Sequence, residues 1–326
     1  MTITHTPTAE LETMVEQMLT GAMSDEEIIK VFQSFPSESL TAEQLASAAR
    51  AMRRAMVGVR LDGDPLDTCG TGGSGKKTIN TSTIVAFIVA AAGGKVAKHG
   101  NRSASGNCGC FDVLEALGAR IDLTPEEERA VYDELGIVFL FARSHHPALK
   151  NVAAARKLFS KKTFFNLLGP LCNPASANRQ MIGTGNLRDA ELLRDALQLL
   201  GTDRSLIVTG MDGLDEVSVC APTVLYSLPD DQTSKFVPAD LSLPVYASGE
   251  IDGGSVDQNV QIVRELAQGR GAPAHRDLVL ANAAHALLLT PLVDDLHSAL
   301  ILARETLESG AVAKLIDQYV LLTNHS

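Results

Sequence analysis

From Pro65 onward short apolar stretches alternate with helical ones, and this alternation most narrows the folds open to the chain. Val96–Lys98, Ile137–Phe141 and Leu206–Thr209 read as strands, while Thr83–Ala92, Pro125–Leu135 and Asp189–Leu200 read as helices. Strands separated by helices need crossover connections, which implies a mostly parallel sheet with helices on its faces. The preceding segment, Ala9 to about Val59, is helical throughout: Leu11, Met14, Val15 and Met18 recur at helical spacing. Ser24 ahead of Asp25, Glu26 and Glu27 marks one helix start, and Thr41-Ala-Glu-Gln44 has the capping-box pattern of another. Leu61-Asp-Gly-Asp-Pro65 reads as a turn and a boundary. The expected architecture is α/β, with a small helical N-terminal domain over residues 1–64 and a larger α/β domain over 65–326.

A net charge of −11 repels polyphosphate backbones, so nucleic acid is not an expected partner and any anion site must be a local cluster of donors. The longest apolar run, Ile84–Ala92, is about half of what a membrane span requires. Met1–Glu12 lacks the basic flank and apolar stretch of a signal peptide, so a cytoplasmic location is expected. The five cysteines (Cys69, Cys108, Cys110, Cys172, Cys220) fit neither a disulfide framework nor a zinc spacing, and read as free thiols.

Three segments carry chemistry. Asp67-Thr-Cys-Gly-Thr-Gly-Gly-Ser-Gly-Lys-Lys-Thr-Ile-Asn-Thr-Ser-Thr83 brings backbone amides close to an anion ahead of a helix N-terminus. Gly70, Gly72 and Gly75 match a dinucleotide-binding spacing, but Lys76–Ser82 intervenes before the helix. Gly70-x4-Gly75-Lys76 approaches a P-loop, but Lys77 stands where Ser or Thr should be. A purely structural glycine turn stays open on this segment alone. The second segment, Lys98-His-Gly-Asn-Arg-Ser-Ala-Ser-Gly106, follows a strand and is rich in cations, amides and hydroxyls. In the third, Thr209-Gly-Met-Asp-Gly-Leu-Asp-Glu-Val-Ser218, adjacent Asp215 and Glu216 are either surface charge or the carboxylates that Mg²⁺ on a diphosphate needs.

Together these segments resemble the anthranilate phosphoribosyltransferases of tryptophan biosynthesis. The resemblance runs from about Pro65 to the C-terminus. It rests on Gly70-Thr-Gly-Gly-x-Gly75, Asn80-x-Ser-Thr83, Lys98-His-Gly-Asn-Arg102, Asp112-Val-Leu-Glu-Ala-Leu-Gly118, His146-Pro-Ala-Leu-Lys-Asn-Val152, Phe165-Asn-Leu-Leu-Gly-Pro-Leu171 and Asp212-Gly-Leu-Asp-Glu-Val-Ser218. The N-terminal helices match weakly and are shorter than is usual in the family. The resemblance implies transfer of 5-phosphoribosyl from phosphoribosyl diphosphate to the amine of anthranilate, in a cleft between the two domains, by a homodimer joined through the helical one. It implies that a helical segment near 147–165 returns to the small domain. The donor would contact Gly70, Gly73, Ser74, Thr78, Asn80, Thr81, Ser82, Thr83, Lys98, His99, Gly100, Asn101, Arg102, Ser103, Ala104, Ser105, Gly106 and Cys110. The aromatic acid would meet Gly70, His99, Asn101, His146, Arg156, Gly169 and Pro170, and two Mg²⁺ ions would use Ser82, Asp215 and Glu216. An arylamine is neutral near pH 7, so no dedicated general base is expected, while its carboxylate suits the fork of Arg156.

Five positions depart from the family pattern: Ser74 replaces Asp, Asn107 replaces Lys, Cys108 and Cys110 replace hydroxyls, and Lys162 replaces Arg. These departures leave two alternatives, a paralogue acting on another aromatic acid and a non-catalytic ligand-binding descendant. A pyrimidine nucleoside phosphorylase shares the implied fold, but the Lys98–Arg102 and Asp215-Glu216 segments speak against it.

Overall fold

The computed structural model describes residues 8–72, 75–103 and 108–325. Three helices open the chain: α1 (Thr8–Thr20), α2 (Asp25–Ser34) and α3 (Ala42–Ala55). Ser24 and Thr41 cap α2 and α3 through reciprocal capping boxes with Glu27 and Gln44, which satisfy amide groups that the helix cannot.

A seven-stranded sheet follows, built from β1 (Leu66–Gly70), β2 (Val96–Gly100), β3 (Ile137–Phe141), β4 (Arg179–Gly183), β5 (Arg204–Gly210), β6 (Thr223–Leu228) and β7 (Gln232–Phe236). Its order is β3-β2-β1-β4-β5-β6-β7. The first five strands in that order are parallel, and β6 and β7 add an antiparallel edge. The expected mostly parallel α/β sheet is present. β3 keeps its expected bounds, but β2 continues past Lys98 to Gly100 and takes in residues expected to lie in a loop.

Between the strands lie α4 (Thr81–Ala91), α5 (Cys110–Leu117), α6 (Pro125–Leu135), α7 (Ala142–His145), α8 (Lys150–Phe159), α9 (Phe165–Leu168) and α10 (Leu187–Leu200). The chain ends with α11 (Val256–Ala267), α12 (Pro273–Leu287), α13 (Leu296–Glu308) and α14 (Ala311–His325). α6 has the bounds its sequence signals predict, with Thr124 as cap, Pro125 in the first turn and left-handed Gly136 as stop.

Alternate strand residues feed two cores, as the pleat requires. Met181, Leu206 and Val208 join α4 and α11–α14 on one face, whereas Ile182, Ile207 and Tyr226 join α10 and the N-terminal helices on the other. α4 and α12 are buried almost throughout, which explains why neither shows a polar stripe. α8 leaves the α/β alternation and packs on α1 and α2. Phe32 of α2 anchors that packing, its ring lying 5.5, 5.9 and 6.0 Å from those of Phe159, Phe164 and Phe165.

Because Phe32 is fully enclosed by this cluster, Phe32→Ala is expected to cost about 3–5 kcal/mol. Urea unfolding measures it, and a loss below about 1 kcal/mol would show that the site collapses freely around the truncated side chain.

Candidate functional site

The connections from β1 lead outward through β2 and β3, and the chain then crosses back to place β4 on the other side of β1. Parallel α/β sheets bind ligands outside the carboxyl ends of strands at such a switch point. Here β1 and β4 end side by side in Gly70 and Gly183, and the Thr71 amide donates to the Gly183 carbonyl at 2.9 Å. The loop after β5 drops onto these two ends. A Cβ on Gly183 would sit 1.7 Å from the Asp215 carbonyl oxygen, and one on Gly70 would sit 3.4 Å from Asp215 Oδ2. Gly183 is therefore required for Asp215 to reach the switch point.

Asn282 of α12 holds that loop from behind. Its Oδ1 accepts from the Val217 amide and its Nδ2 donates to the Val217 carbonyl, both at 2.9 Å. Thr68, Thr81, Ser82, Asp215 and Glu216 thereby line one small cavity. Glu216 Oε2 is enclosed and has no hydrogen-bond partner among the described residues. Burial and then the neighbouring Asp215 charge push the Glu216 carboxyl well above its usual range, opposed by the Thr81 hydroxyl and Lys98. Two adjacent carboxylates, one with an unused oxygen, beside the Ser82 hydroxyl fit a divalent cation that takes its remaining oxygens from ligand and water.

The helix α4 begins at the same edge. Asn80 precedes it, with its amide donating to Asn259 Oδ1 at 2.8 Å and its Nδ2 donating to the Cys108 carbonyl at 3.3 Å. Thr81 and Thr83 are buried in the first turn, and the Thr83 hydroxyl donates to Asn80 Oδ1. Ser82 is part-exposed between them. Thr78 bridges Asp252, outside the helix. Facing this edge, Asp112 Oδ2 accepts from the amides of Ser103 and Gly109 at 2.9 Å each, fastening the chain after β2 to the start of α5. Gly73, Ser74, Ala104, Ser105, Gly106 and Asn107 lie outside the described residues.

The Lys98–Arg102 segment does not act as one exposed cluster. Lys98 is buried within β2, and its ammonium donates to the Thr68 carbonyl. The physical reason is Asp67 on the neighbouring strand. Its buried carboxyl accepts from the His99 amide at 3.0 Å, and burial raises it above the usual carboxylate range, opposed by the nearby Lys98 charge. Gly100 ends the strand, and Asn101 and Arg102 are exposed beyond it. Arg102 pairs with Glu115 at 2.8 Å, an exposed contact worth only about 0–1 kcal/mol and easily exchanged for a ligand anion. Cys110 is buried at the start of α5 with its thiol pushed up to about 11 by burial, so it stays protonated near neutral pH. No disulfide occurs among the described residues, as the cysteine spacing suggests.

His99 and His146 meet beneath this edge, their ring centroids 5.1 Å apart. His99 Nδ1 lies 3.2 Å from the Gly169 carbonyl and His146 Nε2 lies 3.2 Å from the Cys172 carbonyl. A carbonyl only accepts, so each of these nitrogens carries the proton. The opposite nitrogens, His99 Nε2 and His146 Nδ1, are buried without a partner among the described residues. Burial lowers His99 to about 3, with the nearby His146 adding to the effect, and lowers His146 to about 4, with His145 adding to it. Both rings are neutral at physiological pH, and each presents a lone pair. Gly169 and Pro170 stand in the turn that supplies the carbonyls. Arg156 of α8 is half-buried, stacks 5.5 Å from the Phe165 ring and is lowered by burial alone, with no acidic neighbour contributing among the described residues. A cation partly withheld from water without a carboxylate partner would gain from a bound anion. Lys162 is exposed.

Sequence reasoning missed Asp67, Gln180, Gly183 and Asn282. Each is a single residue whose partners lie far along the chain.

Residues 62–313 match a family model described as the glycosyl transferase family, a/b domain. The chain is 38% identical over 314 residues to the anthranilate phosphoribosyltransferase of Novosphingobium aromaticivorans, covering 96% of this chain and 95% of that one. It superposes on the anthranilate phosphoribosyltransferase structure from Thermus thermophilus with a TM-score of 0.93 at 33% identity, over 99% of this chain and 97% of that one. The Saccharomyces cerevisiae enzyme in complex with phosphoribosyl diphosphate and Mg matches with a TM-score of 0.89 at 25% identity, over 98% and 94% of the two chains.

The neutral histidines carry a pH signature. Unfolded, each takes up a proton near 6.5, whereas folded they do so near 3 and 4. Between those values the unfolded chain binds more protons, so stability falls as pH drops through 6.5, by up to roughly 1.4 kcal/mol per group per pH unit. The melting temperature should be lower at pH 5 than at pH 7, and the difference should shrink in His99→Gln/His146→Gln. An undiminished difference in that variant would mean that other groups set the acid limit.

Proposed function

This chain belongs to the anthranilate phosphoribosyltransferase family of glycosyl transferases, and from that premise we propose that it transfers 5-phosphoribosyl from phosphoribosyl diphosphate to the amine of anthranilate, releasing diphosphate. The observation that carries this reading is the pair of enclosed, acceptor-only nitrogens, His99 Nε2 and His146 Nδ1. Two neutral lone pairs suit the N–H groups of an arylamine and offer nothing to a carboxylate. The half-buried Arg156 suits the carboxylate of the same acceptor, with Gly70, Asn101, Gly169 and Pro170 around it.

In the reaction the amine nitrogen bonds to the anomeric carbon as the carbon–oxygen bond to diphosphate breaks. Diphosphate leaves with the electron pair, and the nitrogen sheds one proton. The protein orients the two reactants and stabilises the departing charge. The amides around Gly70–Gly72, the N-terminus of α4 with Asn80–Thr83, and Arg102 and Ser103 face the phosphates in this reading. Mg²⁺, with two ions per site, neutralises the diphosphate when bound. Asp215, Glu216 and Ser82 would hold it, and the unused Glu216 Oε2 supports that role. The neutral histidines hold the amine in line and need not serve as strong bases.

The same reading divides the chain into a helical domain over residues 1–64, joined by 147–165, and an α/β domain over 65–326. It makes the protein a cytoplasmic homodimer through its helical part, and no helix among the described residues is long and apolar enough to cross a membrane.

Two substitutions test the assignment. Asp215→Ala/Glu216→Ala should abolish most Mg²⁺-dependent diphosphate release while leaving the melting curve nearly unchanged, and full turnover at ordinary magnesium would remove the carboxylates from the mechanism. Arg156→Ala should raise the acceptor KM by the equivalent of about 2–4 kcal/mol and barely move the donor KM. Equal losses for both substrates would make Arg156 structural.

A further inference from the structure

The turn from Gly169 to Cys172 is gripped at every carbonyl. His99 Nδ1 takes the Gly169 oxygen and His146 Nε2 the Cys172 oxygen, at 3.2 Å each. Between them Gln180 Nε2 donates to the Pro170 oxygen and Arg53 Nε to the Leu171 oxygen, at 2.7 Å each. These four donors come from β2, the α7–α8 junction, β4 and α3, so separate parts of the chain converge on four consecutive peptide units. The two outer carbonyls set the histidine tautomers. The two inner side chains decide where those carbonyls stand.

Arg53 is the unusual member. It sits in the last turn of α3, in the N-terminal helices, and reaches 118 residues along the chain to Leu171. It shares no ion pair with a carboxylate among the described residues, and burial lowers it with only Cys172 acting in the other direction. Holding a half-buried guanidinium on one backbone carbonyl costs some desolvation, which one hydrogen bond offsets only in part. An apolar side chain could fill the same space but would leave the Leu171 carbonyl without this donor. We propose that Arg53 is a positioning residue for the acceptor pocket: by holding the Leu171 carbonyl it orients the Gly169–Cys172 turn, and so keeps His99 and His146 in the tautomers that aim lone pairs at the substrate amine. This rests on the reading of the histidine pair as the amine site.

The device links the helical region to the chemistry through one hydrogen bond. Movement of α3 relative to β4 would be felt first at the Leu171 carbonyl, then at the two rings. Arg53 acts on acceptor binding and leaves the phosphate-facing loops, which no described contact of Arg53 reaches, as they are.

Arg53→Met keeps the stem and removes the donor. It should raise the acceptor KM about tenfold while the donor KM moves less than about twofold. Arg53→Lys, which still offers one donor, should fall between, at about threefold. Nitrogen-15 NMR of the histidine rings without substrate should show a single Nδ1-protonated His99 and a single Nε2-protonated His146 in the parent, and tautomer mixtures in Arg53→Met. A wild-type acceptor KM in Arg53→Met, or equal rises for both substrates with unchanged tautomers, overturns the proposal. Should Arg53→Met fail to fold, the same two readouts on Arg53→Lys decide it. The NMR arm needs no turnover, so it stands apart from a failure of the proposed reaction.

Discussion

The carboxyl edge of the sheet depends on two central strands ending in glycine. Parallel strands β1 and β4 flank the point where the chain reverses its winding, and any side chain at Gly183 would overlap the Asp215 backbone. Removing that Cβ lets the loop after β5 descend onto the strand ends and brings Asp215 and Glu216 beside the first turn of α4. Asn282 then clamps the loop through both sides of the Val217 residue. Backbone geometry places the carboxylates, and Glu216 Oε2 has no hydrogen-bond partner among the described residues.

The second half of the site follows from a buried charge. Asp67 on β1 is fully enclosed, which would be expensive alone. The nearby Lys98 charge offsets part of that cost and the carboxyl holds the His99 amide, while the Lys98 ammonium donates to the Thr68 carbonyl, so two residues of a polar run are interior. With its backbone fixed there, His99 can reach the Gly169 carbonyl, and the Gly169–Cys172 turn in turn fixes His146. The result is a pair of neutral rings with defined lone pairs, enclosed beneath the edge where β1, β4 and α4 meet. An amine that must attack while uncharged, and a diphosphate that must leave while charged, call for those two environments.

Much of this was legible beforehand because it is local. Ser24, Thr41, Thr124 and Gly136 mark helix ends through contacts within a few residues, and Ile137–Phe141 is too apolar and β-branched to be anything but an interior strand. β4 and β7 were not legible. Arg179 and Gln180 give β4 a polar start, since Arg179 donates to the Leu289 carbonyl and Gln180 to that of Pro170, and the edge strand β7 exposes four of its five residues. His99 and Gly100 read as loop because the partners of His99, Asp67 and Gly169, lie elsewhere in the chain. Asp215, Glu216 and the Asn80–Thr83 segment could be singled out because carboxylate pairs and helix-start hydroxyls carry their chemistry in consecutive residues. Arg53, Gln180 and Asn282 could not, since each matters only through a carbonyl or peptide well removed along the chain.

The central claim is that this pocket takes an aromatic amine bearing a carboxylate and joins it to phosphoribose. The most direct measurement is the loss of anthranilate fluorescence with phosphoribosyl diphosphate and Mg²⁺, run beside aniline and benzoate, each of which lacks one of the two groups. The account predicts stoichiometric consumption of anthranilate with diphosphate release, and little diphosphate release with either truncated acid or amine. Equal diphosphate release with aniline would contradict the role of Arg156, and no consumption of anthranilate at saturating donor would contradict the reaction itself.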